Sequence, residues 1–178
     1  MGMKLDLGCG PAKEEGYIGI DIIPFNRVDC VWDLNNGIPF NNNVFDSVKA
    51  YDAIEHVRDG INLMREIWRV LKGGGVFDCH VPSTDGRGAF QDLTHVSYWN
   101  ENSFWYYWAN AQEWPDYGRR ECLFEAIELY TTPMSQDGVC HVIFKGKAVK
   151  TGEWLDTYNE RTKNQPWKLA KIDCLKKN

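Results

Sequence analysis

Lys4-Leu5-Asp6-Leu7-Gly8-Cys9-Gly10-Pro11 decides the fold of this 178-residue chain. Leu5 and Leu7 flank Asp6 in a short apolar run that Gly8 and Gly10 end abruptly. That is the pattern of a buried strand feeding a glycine turn. Glycine there opens dihedrals closed to other residues and lets a ligand lie against bare backbone. Open α/β sheets bind ligands at turns of this kind, at the carboxyl ends of parallel strands. A dinucleotide fingerprint needs Gly-x-Gly-x-x-Gly, but position 13 is Lys13, and the Gly-Lys-Ser/Thr of a triphosphate loop is absent. An acid before a short Gly-x-Gly suits a ligand with a cationic amino-acid end and no pyrophosphate.

Downstream, strand signals recur. Tyr17 to Ile22 is a second strand closing on Asp21, where a carboxylate takes ribose hydroxyls in nucleoside-binding folds. Val28 to Leu34 is a third strand, closing on Asp33-Leu34, and Phe45 to Tyr51 a fourth, running into Asp52-Ala53-Ile54-Glu55-His56-Val57. Asp59 caps a helix whose buried stripe is Leu63, Ile67, Val70 and Leu71, widened by Met64 and Trp68. Gly73-Gly74-Gly75 stops that helix, and Val76 to Pro82 is a fifth strand. Strands alternating with crossovers argue a parallel α/β sheet. Arg119 to Tyr130 and Val139 to Lys150 read as a closing pair of strands around the Asp137-Gly138 turn.

Lys4 to Pro11, Gly16 to Asp21, Asp33-Leu34, Ile38-Pro39-Phe40, Phe45-Asp46, Glu55-His56 and Arg69 to Gly75 fall in one order along the first half of the chain. In that order they resemble class I S-adenosylmethionine-dependent methyltransferases, in the subgroup with a shortened first crossover. Two residues depart from the family pattern: Gly74 stands for a common proline and Asp52 for a frequent histidine. The resemblance implies a Rossmann-like, mostly parallel seven-stranded sheet with an antiparallel C-terminal hairpin. Residues 1–150 are then the S-adenosylmethionine-binding domain, with an aromatic lid insertion at about 83–118, and residues 151–178 a tail packing on the body. The cofactor contacts it implies are Asp6, Leu7, Gly8, Cys9, Gly10, Pro11, Asp21, Ile22, Tyr51 and Asp52, with Asp33 and Leu34 reading the adenine edge.

An alcohol or phenol acceptor benefits from a general base, and histidine titrates near working pH. His141, in the closing hairpin, reads as structural, and His80, on the fifth strand, as equally suited to core or site. His56 follows the fourth strand. His95 lies in the loop beyond the fifth, beside Asp92, which could orient its ring. His56, His95 and Asp92 are therefore the catalytic candidates. Trp99, Phe104 to Trp108 and Trp114 form an aromatic block, read mainly as core, in which Asn100 or Ser103 caps a short helix.

Composition bounds the rest. A net charge of −5 argues against a general nucleic-acid binder. The basic residues from Arg161 onward are the one stretch suited to an anionic partner. The six cysteines contain no Cys-x-x-Cys pair, so no metal is expected, and their scatter suits a reducing compartment. With no long apolar run, the expectation is a cytoplasmic protein apart from membranes. The leading reading is methyl transfer to a small molecule. The alternatives are a catalytically weak cofactor-binding scaffold and, less well supported by Lys13 and the early Asp21, a nicotinamide dehydrogenase. Neither the acceptor nor the oligomeric state is legible in the sequence.

Overall fold

The computed structural model describes residues 2–108 and 122–150. Strands β1 (Lys4–Leu7), β2 (Ile18–Asp21), β3 (Cys30–Val31), β4 (Phe45–Tyr51), β5 (Leu71–Pro82), β6 (Leu123–Thr131) and β7 (His141–Val149) form one seven-stranded sheet in the order β3-β2-β1-β4-β5-β7-β6. The first five are parallel; β7 runs antiparallel between β5 and β6. The expected Rossmann-like sheet with its C-terminal hairpin is therefore present. Because β1 is followed by β2 on one side while β4 returns to its other side, the order reverses between β1 and β4. Open sheets bind ligands at such a point.

The β1–β2 connection, residues 8–17, carries turns and no helix. It fits because it lies flat on β2. A Cβ on Gly19 would stand 2.5 Å from Lys13 Cδ and 2.6 Å from Cys9 Sγ. Lys13 Nζ and the Gly19 amide both donate to Asp29 Oδ2, at 2.5 and 2.7 Å, which fastens the loop to the start of β3.

Helix α1 (Gly60–Val70) starts at Asp59, whose side chain accepts from the Asn62 amide. It ends before the three glycines, not at them. Leu71 is already extended and pairs with Phe45, and the chain bulges through residues 72–75 before Val76 pairs with Ser47. The strand after α1 thus begins earlier than its apolar run, while β3 is shorter than the Val28 to Leu34 run, whose end turns into a 3-10 helix at Leu34–Asn36. The short helices α2 (Gly88–Gln91) and α3 (Glu101–Trp105) follow β5, and α3 opens on an Asn100–Ser103 capping box.

The aromatic block divides. Trp99, Phe104 and Tyr107 are buried and Phe104 stacks on Phe144 at 4.7 Å, but Trp105, Tyr106 and Tyr98 are exposed. The expected lid beyond Trp108, with Trp114, and the C-terminal tail lie outside the described residues. Among the described residues no helix is long and apolar enough to cross a membrane.

The stripe of α1 also buries two charges. Arg69 Nε and Nη2 grip Glu66 Oε1 and Oε2 at 2.8 and 2.7 Å. The guanidinium also donates to the carbonyls of Phe40 and Ile38 at 2.6 and 2.7 Å, and the Ile38 amide donates to Glu66 at 3.0 Å. The pair satisfies the polar backbone of the turn that leads from the β3 tip back into β4. Removing one partner of such a pair leaves a buried charge unmatched. Arg69→Ala is expected to cost about 3–5 kcal/mol in urea unfolding; a loss below 1 kcal/mol would mean that the turn holds itself.

Candidate functional site

A cleft of about 450 Å³ opens at the carboxyl ends of the parallel strands, within the size range of small-ligand sites. Each wall follows a strand tip. Gly8 comes from β1; Asp21, Ile22, Ile23 and Phe25 from β2; Trp32 to Asn35 from β3; and Asp52, Ala53, His56 and Val57 from β4. Thr94 closes it from the loop beyond α2. Gly8 (φ 63°) lets β1 end directly against the β4 turn: a Cβ there would sit 2.5 Å from Ala53 Cβ. Gly10 (φ 56°) has open space where a Cβ would point.

The cleft carboxylates are pre-positioned by backbone. Asp21 Oδ2 accepts from the Gly10 amide and Oδ1 from the Ile23 amide, both at 2.8 Å. It therefore holds the glycine turn in shape while lining the cleft. Asp33 Oδ1 caps the Leu34–Asn36 turn by accepting from the Asn35 amide at 2.8 Å. Leu34 begins that turn, so its N–H has no acceptor within it. Asp52 holds a left-handed backbone (φ 48°), a strained state for a non-glycine residue, and its Oδ1 lies 3.2 Å from His141 Nε2. His141, read from sequence as structural, thus stands at the rim.

Of the other sequence candidates, Asp6, Leu7, Cys9, Gly10, Pro11 and Tyr51 do not line the cleft. Asp6 is buried, and its carboxylate faces Lys49 Nζ at 3.2 Å. Burial raises its pKa, with Lys49 opposing. Lys49 also binds Glu14 at 2.9 Å, so Asp6 anchors the glycine loop from below. Leu7 is fully buried. Burial pushes the Cys9 thiol up to about 11, with the Asp6 and Asp21 carboxylates adding to it, which makes it a poor nucleophile. Tyr51 stacks on His80 at 3.8 Å, away from the cleft lining.

The catalytic candidates assemble differently from the expected pair. His95 is not oriented by Asp92: Nε2 and Asp92 Oδ2 are 3.9 Å apart, too far for a hydrogen bond. Its Nδ1 lies 3.0 Å from the Ala89 carbonyl, which can only accept. Asp92 acts instead on the other ring. Its Oδ1 accepts from Thr94 Oγ1 at 2.7 Å, and Oγ1 lies 3.0 Å from His56 Nδ1. The two imidazoles meet edge to face, 4.9 Å between centroids. Beneath them is Glu55, which the sequence reading quoted beside His56 but gave no role in the site. Its side chain is 2% exposed, neither oxygen has a partner in ordinary hydrogen-bond geometry, and His95 Nε2 is 3.9 Å from Oε1. Burial pushes its carboxyl up to about 7. The 92–97 loop is docked here by backbone: the Val96 and Ser97 amides donate to the Glu55 carbonyl at 2.9 and 3.0 Å. A charged residue between Ile54 and Val57 was the available signal for Glu55; of the apolar wall the sequence reading had Ile22, and a second isoleucine directly after it was the signal for Ile23.

Residues 5–79 match the family model described as methyltransferase domain. No curated protein matches the chain. Solved structures of the same fold include the YcgJ protein of Bacillus subtilis (13% identity, 84% of this chain and 93% of that one, TM-score 0.58). Another is a Burkholderia thailandensis 1,6-didemethyltoxoflavin-N1-methyltransferase with bound 1,6-didemethyltoxoflavin and S-adenosylhomocysteine (16% identity, 84% and 72%, TM-score 0.59). The cyclase SpnF has the fold too (14% identity, 84% and 75%, TM-score 0.60), so the architecture alone does not fix the reaction. The methyltransferase-domain match covers residues 5–79, and the solved structures share the fold of the chain.

The two glycines of the turn separate space from backbone strain. Gly8→Ala meets both a left-handed φ and the Ala53 contact and is expected to cost about 2–4 kcal/mol. Gly10→Ala meets only the first and is expected to cost about 1–2 kcal/mol. Equal urea midpoints for the two variants would remove the Gly8–Ala53 approach as a constraint.

Proposed function

We propose that the chain transfers the methyl group of S-adenosylmethionine to a small-molecule acceptor that enters the cleft beside His56. The observation carrying this is the convergence of Asp21 and Asp33, at the tips of neighbouring strands, on one hollow floored by Gly8. Each Asp21 oxygen keeps a second lone pair beside its backbone hydrogen bond, and Asp33 keeps Oδ2; such acceptors suit a ribose diol and an adenine amino group. The exposed Ile22 and Ile23 suit the flat faces of the base. The residues lining the cleft fit an adenosyl amino acid: Asp21 would take the ribose hydroxyls, Asp33 and the Leu34 N–H the adenine edge, and Gly8, with the glycine turn and Asp6 supporting it from behind, the amino-acid end.

The bound sulfonium supplies an activated methyl group, so the protein's task is to hold the acceptor in line. His56 is the histidine in the cleft wall, with Thr94 and Asp52 around it. His95 lies behind it, its side chain 7% exposed. We assign His95 to holding the Glu55–His56 corner. The acidity of the chain favours a small acceptor over bulk nucleic acid.

Calorimetry with S-adenosylhomocysteine tests the pocket. Asp21→Ala is expected to weaken binding tenfold or more, on the scale of one lost charged hydrogen bond. His95→Ala is expected to leave it within about twofold. An unchanged dissociation constant for Asp21→Ala would take that carboxylate out of the site.

A further inference from the structure

We propose that Glu55, His56 and His95 bind one divalent transition-metal cation at the wall of the cleft. One carboxylate oxygen and one ring nitrogen from each histidine lie within 4.8 Å of one another. A Glu with two imidazoles is a donor set that suits zinc, cobalt, iron or nickel, and it needs no cysteine pair.

Three features beyond proximity point to a cation. The Glu55 carboxylate is buried and has no hydrogen-bond partner, aimed at the two rings. A buried carboxylate without a partner is costly, and a cation is one of the few groups that removes the cost. Second, both imidazoles are oriented through Nδ1. His95 Nδ1 must carry the proton, since the Ala89 carbonyl beside it only accepts. Thr94 Oγ1 donates its hydrogen to Asp92, so toward His56 Nδ1 it acts as acceptor, as does the Thr94 carbonyl at 3.3 Å. Each ring is thereby anchored through Nδ1, which leaves Nε2 as the nitrogen available to a cation. Metal-binding histidines are held in this way by an outer carbonyl or carboxylate. Third, the set opens to solvent on one side only: Glu55 and His95 are enclosed, while His56 and Thr94 face the cleft. Three protein ligands with one open side leave room for an exogenous ligand.

That side faces the space assigned above to the methyl acceptor, so the cation would hold an oxygen of that molecule, a hydroxyl or a carboxylate. This assignment rests on the methyl-transfer reading; the metal site does not. His56 then serves as a ligand and not as a free base, and Asp92 is a positioning residue acting through Thr94.

The test is a titration of the metal-stripped protein with cobalt(II), followed by visible absorption. One equivalent is expected to bind, giving ligand-field bands without the intense near-ultraviolet band of thiolate coordination. Glu55→Gln, nearly isosteric, and His95→Ala are each expected to weaken binding tenfold or more. Asp92→Asn is expected to weaken it severalfold while leaving the folded spectrum intact. Circular dichroism on each variant separates lost ligands from lost fold; if His95→Ala unfolds, Glu55→Gln alone decides. No cobalt binding to the parent protein at millimolar concentration would overturn the site. So would binding that survives Glu55→Gln, or a thiolate band. S-adenosylhomocysteine affinity of the same metal-free sample is read separately. Its loss would strike the methyl-transfer reading and leave the metal site standing.

Discussion

The contact between Gly8 and Ala53 sets the site. Where β1 ends, the chain must turn with almost no clearance from the turn after β4, and a single methyl group at Gly8 would collide with Ala53. That proximity puts two functional loops, residues 8–11 and 52–57, on the same side of the sheet at the point where its order reverses. The glycine turn faces β2 and β3 through Asp21; the β4 turn faces the 92–97 loop through Glu55. One close approach therefore joins the wall of strand-tip carboxylates to the wall that carries His56.

The polar groups around the cleft follow a common rule with one exception. Asp21, Asp33 and Asp92 each accept a backbone amide of their own turn, and Asp6 and Asp52 each face a cationic or ionisable partner. Each is fixed before any ligand arrives, which lowers the ordering cost of binding. Glu55 breaks the rule: it is the most enclosed of them and the one without a hydrogen bond. A pre-positioned surface with a single unsatisfied carboxylate at its back is difficult to explain as packing, since an apolar side chain there would carry no desolvation cost.

The sheet was legible because its signal is local. Short apolar runs ending in Gly8, Asp21, Asp33 and Asp52 mark strand tips directly, and tips are where a parallel sheet keeps its ligands. The end of α1 was misplaced because Leu71 fits both a helical stripe and the strand it actually joins, and pairing with Phe45 decided between them. The buried Glu66–Arg69 pair was invisible because a helical stripe is read by hydrophobicity, whereas these two residues are buried by what they satisfy in the neighbouring turn.

The histidine corner was half legible for a different reason. Sequence reasoning pairs a histidine with the nearest acid, and so tied His95 to Asp92. In three dimensions an Asx-like turn spends Asp92 on Thr94, three hydrogen bonds to the carbonyls of Ala89 and Glu55 hold residues 95–97 in place, and the acid facing His95 comes from forty residues earlier in the chain. Proximity along the chain fails here because the loop is docked by its backbone, and a backbone-docked loop can present its side chains to whatever lies beneath. The consequence reaches the chemistry. A histidine held by its own aspartate is a base waiting for a proton. Two histidines each held at Nδ1 by oxygen acceptors, over a buried carboxylate that makes no hydrogen bond, form instead a corner of three converging donors, and that convergence is what the proposed cation site rests on.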